Sequence, residues 1–347
     1  VTVTGAGNGN YAGTVTKTFD ITKKTITDAM VTLESDSMGY TGQKLEPKVT
    51  VKDGDLVFTK DKDYTVTYAK NVNVGTATVT IEGTGSCTGE ITKHFQITEK
   101  QLTASMVTLK ATSETYTGKE IKPEVEVKDG TTALVEGKNY EVTYTENVNV
   151  GTATVTINGI GSYGGKVEKT FKITAKKLDA SQVNLKENQL TYSGNALKPE
   201  VEVKDGETVL AADKDYSVTY ASNTNAGTAT VTITGKGNYQ GIVEKSFTIK
   251  AKALTEEMAA LETDSAEYTG KAITPKVTVN DGDKLLKENT DYTVIYEENV
   301  NVGTAIVTVS GKGNYAANIQ KQFTITAKKL DESMVTLKKT RFANTEK

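Results

Sequence analysis

Apolar and polar residues alternate with a period of two along most of this chain. In "KVTVK" (48–52) the alternation puts Val49 and Val51 on one face. In "DYTVTY" (63–68) Tyr64, Val66 and Tyr68 share one face and Thr65 and Thr67 the other. "TATVTI" (76–81) aligns Ala77, Val79 and Ile81, and "ITKHFQIT" (91–98) aligns Ile91, Phe95 and Ile97. A period of two marks a strand with one buried face. "MVTL" (30–33) reads as a further short strand, and "DG" at 53–54 as a turn with "DLVFT" as the hairpin return. "YTGQKLEP" (40–47) is a turn-rich approach in which Pro47 marks a strand entrance or edge, and "GTGSCTGE" (83–90) is a glycine-rich turn. No segment shows the helical period. Six or seven short strands, with turns about every eight to twelve residues, predict a two-sheet sandwich.

The whole pattern then repeats every 76 residues. "NVNVGTATVTI" stands at 71–81 and again at 147–157, with "NTNAGTATVTI" at 223–233 and "NVNVGTAIVTV" at 299–309; in it Asn73 and Gly75 are expected to make the bend that feeds the strand. Gly75, Gly151, Gly227 and Gly303 keep this step, as do the four prolines, Pro47, Pro123, Pro199 and Pro275. So do Phe19, Phe95, Phe171, Phe247 and Phe323, and all sixteen tyrosines fall into four such series. The last series is Tyr11, Tyr163, Tyr239 and Tyr315, with Cys87 in the missing place. Repetition decides the architecture: an all-β tandem array of sandwich domains at 23–98, 99–174, 175–250 and 251–326. Residues 1–22 are expected to be the end of a truncated repeat and 327–347 the start of a further, degenerate or truncated one. Because "VTVTGAGNGNY" matches positions 77–87, the chain is expected to be a segment of a longer protein. The junctions, such as "ITEKQLTASMVTL" (97–109), hold no flexible linker. Leu102, Leu178, Leu254 and Leu330, with Ile26, each offer an apolar residue there to pack between neighbours, which favours an elongated rod over loose beads. At ~3.3 Å per strand residue, such a rod spans about 160–180 Å.

Composition adds exclusions. The net charge is −3, from 41 basic and 44 acidic residues that are interspersed, so there is no basic stripe for nucleic acid and no polybasic membrane surface. No apolar run is long enough to insert into a bilayer. One cysteine excludes an internal disulfide framework.

Candidate chemistry is sparse. His94 and Cys87 are single residues seven apart, but their repeat equivalents are Thr18, Thr170, Ser246 and Gln322 in one case and tyrosines in the other. A nucleophile–base pair needs positioned partners that this drift does not supply. Acidic pairs at turns (Asp53/Asp55, Asp61/Asp63, Asp213/Asp215, Asp281/Asp283) could begin a calcium site. The second full repeat lacks them, reading "DGT" at 129–131 and "GKN" at 137–139, which favours aspartate as a turn former. "GKGNYQG" (235–241) looks like a dinucleotide loop, yet a strand rather than a helix follows it. Lys17, Lys93, Lys169, Lys245 and Lys321 share inward parity with the phenylalanine two residues on. They either enter Lys–Asn cross-links or extend their ammonium groups to solvent, and the second is the simpler expectation. The tyrosines of "GNY" either stack on sugars or fix a corner through the hydroxyl, as sandwich tyrosines do. No catalytic, cofactor-binding or metal-binding residue is assigned, and no cofactor is expected.

The stretch "YTGKEIKPEVEVKDG" (116–130) through "NYEVTYTENVNVGTATVTINGIGSYGGKVEKTFKIT" (139–174) resembles the tandem immunoglobulin-like repeats of large surface proteins of Gram-positive bacteria, many from the gut. The resemblance implies Ig-like domains in an extracellular stalk or adhesin shaft, cell-wall attached or secreted, and supplies no catalytic residues. The tail departs from it: Asn344 stands where tyrosine is expected, and "KKTRFANTEK" holds the sole arginine. The repeats agree at inward Val, Ile, Tyr and Phe and at turn Gly and Pro, but differ at 34–39 and 55–60 and their equivalents. Copies of one binding site would share surface residues, whereas these share cores. The expected role is a non-enzymatic spacer whose partners are flanking domains of the same polypeptide. Adhesin modules that bind host glycan or protein through loops are the alternative. The ends 1–22 and 327–347 together supply too few positions to rebuild a whole domain between chains.

Overall fold

A computed structural model describes residues 1–336 and 338; Asn344 and the arginine-containing tail lie outside the described residues. The chain divides into two compact units, Val1–Thr174 and Ala175–Lys347. Among the described residues the ordered elements are β-strands and 3-10 turns. The first unit holds a short hairpin, Thr2–Thr4 with Thr14–Thr16, and two sandwiches whose strands run from Lys24 to Thr98 and from Lys100 to Thr174. The second unit holds two more, from Lys176 to Lys250 and from Lys252 to Thr326. We call these the first to fourth sandwiches.

In the first sandwich, Val31–Leu33, Val49–Asp53 and Leu56–Val57 form a three-stranded antiparallel sheet. Opposite lies a four-stranded sheet in the order Ser37–Gly39, Glu90–Thr98, Gly75–Gly83, Tyr64–Ala69. The alternation read from the sequence sets which side chains meet between them. Val31, Val49 and Val51 from one sheet and Tyr64, Ala77, Val79, Ile81, Phe95 and Ile97 from the other belong to one buried cluster. The hairpin at 53–56 turns through Gly54 at φ +61°, the first of its two loop residues, a backbone conformation that glycine adopts without strain.

Between these sheets runs an irregular stretch, residues 43–48, with no strand partner of its own. Its carbonyls are met by side chains from the facing sheet. Asn71 donates to the Leu45 carbonyl (3.0 Å), the Tyr68 hydroxyl to that of Pro47 (2.6 Å), and the Tyr64 hydroxyl to that of Val49 at the strand start (3.3 Å). The Leu45 N–H in turn donates to the Asn71 carbonyl. The arrangement recurs in later sandwiches: Asn147 to Ile121 and Tyr144 to Pro123, Asn223 to Leu197 and Tyr220 to Pro199, Asn299 to Ile273 and Tyr296 to Pro275. Each proline carbonyl in the chain therefore takes a tyrosine hydroxyl.

The structure differs from the sequence reading in four places. The bend of the repeated phrase has its positive φ angles at Lys70 (+54°) and Gly75 (+128°), and Asn73 is exposed, so Asn71 is the structural asparagine. Ser37–Gly39 is a strand, paired parallel to Gln96–Thr98. The glycine-rich turn contains a two-residue strand, Cys87–Thr88, paired parallel to Lys24–Thr25. Finally, Ile26 and Leu102 are buried in the cores of their own sandwiches, while Leu330 is exposed.

Replacing Asn71 with Ala leaves the Leu45 carbonyl buried without its side-chain donor. The expected cost is about 1–3 kcal/mol, larger than the ~1 kcal/mol expected for Tyr68→Phe, whose hydrogen bond is only partly buried. Denaturant titration of the full chain, with amide exchange localising the loss to the first sandwich, checks the order.

Candidate functional site

The structure separates the chemically reactive singletons. Cys87 is buried within the first core, and that burial pushes its thiol pKa up, the opposite of what a nucleophile needs. His94 lies on the exposed outer face of the four-stranded sheet, opposite Thr78.

The acidic pairs resolve into two kinds of local chemistry. Asp63 accepts the Thr59 N–H (2.8 Å), and its equivalents do the same: Asn139 from Val135, Asp215 from Ala211, Asp291 from Lys287. Two residues earlier the chain takes positive φ, at Asp61, Gly137, Asp213 and Asn289. Since asparagine and glycine serve as well, these positions make a turn and require no charge. Among the described residues, no cluster of three His, Cys, Asp or Glu could hold a metal ion.

Asp53 and its equivalents do something else. The Lys100 ammonium sits 2.6 Å from Asp129, and Lys176 lies at the same distance from Asp205; Lys24–Asp53 and Lys252–Asp281 are the corresponding pairs. In the last three sandwiches the "GNY" tyrosine or its equivalent completes the group: Tyr163 donates to Asp129 (3.2 Å), Tyr239 to Asp205 (3.1 Å) and Tyr315 to Asp281 (3.1 Å). Those tyrosines are buried, so their rings offer no sugar platform; Tyr11, in the amino-terminal segment, is 84% exposed. The first sandwich has Cys87 in place of the tyrosine, and the Asp53 side chain is 44% exposed against 21%, 16% and 15% for Asp129, Asp205 and Asp281. Half-exposed pairs of this kind contribute little individually; with the hydroxyl added, the carboxylate ties the corner to the hairpin turn.

The inward-parity lysines are half-buried, and Lys93 carries its ammonium out to Asp28 (2.7 Å). Lys17, in the amino-terminal segment, is exposed.

The tyrosines also reach between sandwiches. Within the first unit, Tyr40 of the first sandwich meets Tyr163 of the second edge-on, with ring centroids 5.7 Å apart. Within the second unit, Tyr192 and Tyr315 make the same contact at 5.6 Å. There the Lys284 ammonium also donates to both hydroxyls, at 3.1 Å and 3.4 Å, and its position beside the rings adds a cation–π attraction. The sequence signal for this contact was present, since both tyrosine series keep the 76-residue step. Only the topology shows that they belong to opposite ends of a sandwich.

The loops that open the repeated phrase line shallow cavities, of about 660 Å³ at Lys70–Thr76 and about 380 Å³ at Ser222–Thr228. The buried polar side chain in the first, Asn71, is already committed to Leu45. No helix of the described residues is long and apolar enough to cross a membrane.

No family model and no curated protein sequence matches the chain. Among solved structures it is similar to a protocadherin gammaB7 segment, EC3–6 (8% identity, 85% of this chain and 99% of that one, TM-score 0.19). The insect immune protein hemolin is comparable (8%, 86% and 99%, TM-score 0.22), as are immunoglobulin domains 1–4 of Sidekick-1 (9%, 86% and 99%, TM-score 0.22).

Burial and the neighbouring Asp129 carboxylate push the Tyr163 hydroxyl from its ordinary 10 up to about 12. Because the folded state holds this proton more tightly, the stabilisation is fully present below pH 10 and is lost as pH rises towards 12. Tyr163→Phe should therefore destabilise the second sandwich by about 1 kcal/mol near neutrality. Denaturant midpoints measured against pH should show the gap between variant and parent closing above pH 10.

Proposed function

We propose that this chain is a non-enzymatic spacer segment of a large bacterial cell-surface protein, extracellular and cell-wall attached or secreted, holding a functional head away from the wall. The observation that carries the reading is where the copies agree. They share core residues, the Asn and Tyr donors to the 45–49 stretch, and the Lys–Asp pairs. They differ at 34–39 and 55–60 and their equivalents, where most side chains are exposed and the inward position keeps an apolar residue, Phe58, Leu134, Leu210 or Leu286. What is kept serves the sandwich; what drifts is the surface a ligand would touch. The repeats 23–98, 99–174, 175–250 and 251–326 are taken as its domains, and flanking domains of the same polypeptide as its partners.

Two measurements on the full chain test this. Small-angle scattering is expected to give a maximum dimension of about 160–180 Å, from the strand rise; a compact particle would contradict the spacer geometry. A glycan array and a pull-down with host surface proteins should show no saturable binding. Reproducible saturable binding would instead establish the adhesin alternative, with the variable loops as its site.

A further inference from the structure

The corner that carries the buried tyrosine also carries, one residue earlier, a side chain that faces the preceding sandwich. In the fourth sandwich this is Asn314. Its carbonyl oxygen accepts the Ala226 N–H (2.7 Å), and its amide donates to the Asn225 side chain (3.0 Å). Ala226 and Asn225 belong to the loop Ser222–Thr228 of the third sandwich, the opening of the repeated phrase. Asn314 thus satisfies a backbone donor that the phrase leaves open, while Tyr315 beside it meets Tyr192 and Lys284 reaches both hydroxyls.

The corresponding joint in the first unit has the same backbone and fewer ties. Ser162 stands at the place of Asn314, Thr132 at the place of Lys284, and Val74 at the place of Ala226. Ser162 and Asn314 have the same main-chain role, their carbonyls accepting the Lys100 and Lys252 N–H groups. Among the described residues, the Ser162 hydroxyl makes no hydrogen bond to the Lys70–Thr76 loop, and the Val74 N–H has no acceptor. The Tyr40–Tyr163 edge contact is the aromatic tie that remains.

We infer that the loop opening the repeated phrase is a docking socket whose occupant is the corner of the following sandwich, and that the residue before the corner tyrosine locks it. Asparagine locks the socket, because its amide spans the gap to a backbone N–H and offers a second bond. Serine reaches one atom less far, carries one polar group instead of two, and leaves the socket open. The joint between the third and fourth sandwiches is therefore the stiff one, and that between the first and second is the compliant one.

Residue-resolved amide exchange of the full chain by NMR tests the assignment. After correction for intrinsic rates, the Ala226 amide should exchange about five- to tenfold more slowly than that of Val74. Asn314→Ser should abolish that difference, and Ser162→Asn should slow Val74 by a similar factor. Val155 and Val231, in central strands, report whether each variant has kept its fold. Equal protection of Ala226 and Val74 in the parent would overturn the inference, as would an Asn314→Ser variant that keeps Ala226 protected. A folded Ser162→Asn variant with an unprotected Val74 would show that this corner residue does not set the joint.

Discussion

Each sandwich depends on the way backbone carbonyls are satisfied where the chain leaves one sheet for the other: two are met by an Asn and a Tyr side chain in every copy, and a third by a tyrosine hydroxyl in the first and fourth. A stretch without strand partners, placed between two sheets, exposes backbone acceptors to a low-dielectric interior, and an unmet acceptor there costs more than a met one gains. Here the Leu45, Pro47 and Val49 carbonyls are met in order by Asn71, Tyr68 and Tyr64, all from the neighbourhood of one strand. The tyrosines supply a ring for the core and a hydroxyl for the backbone, so one residue type answers both demands. Proline suits the middle position because it has no N–H that would also need a partner.

The same economy explains how the copies diverge. Positions that complete another residue's hydrogen bonding cannot change alone, and they recur at the 76-residue step. The turn position at Asp63 can pass to Asn139 because both side chains accept the same N–H. The corner position at Tyr163 passes to Cys87 only with a visible consequence: the first sandwich keeps its Lys24–Asp53 pair but leaves the carboxylate far more open to water.

Much of the sandwich was legible in the sequence because strand alternation is a one-dimensional signal. Val49, Val51, Ala77, Val79, Ile81 and Phe95 needed nothing but period two to be placed inside. The parallel pairings of Ser37–Gly39 and Cys87–Thr88 were not legible, since each joins residues about 60 apart and too few of them to show a pattern. Asn71 was misread in favour of Asn73 for a related reason. Both asparagines sit in one bend, and only the position of Leu45 across the sandwich separates the buried donor from the exposed neighbour. The Lys–Asp–Tyr group escaped notice because its members lie 29 and 34 residues apart.

The parallel pairings also decide how a sandwich answers force. Its entering strand, Lys24–Thr25, runs alongside Cys87–Thr88, and Ser37–Gly39 runs alongside the final residues of the departing strand. When opposite ends of such a pair are pulled apart along the chain, the strands slide past each other, so the hydrogen bonds between them are loaded together. An antiparallel hairpin pulled at its open end gives way one bond at a time. These short pairings therefore stand across the line of tension, where rupture has to begin.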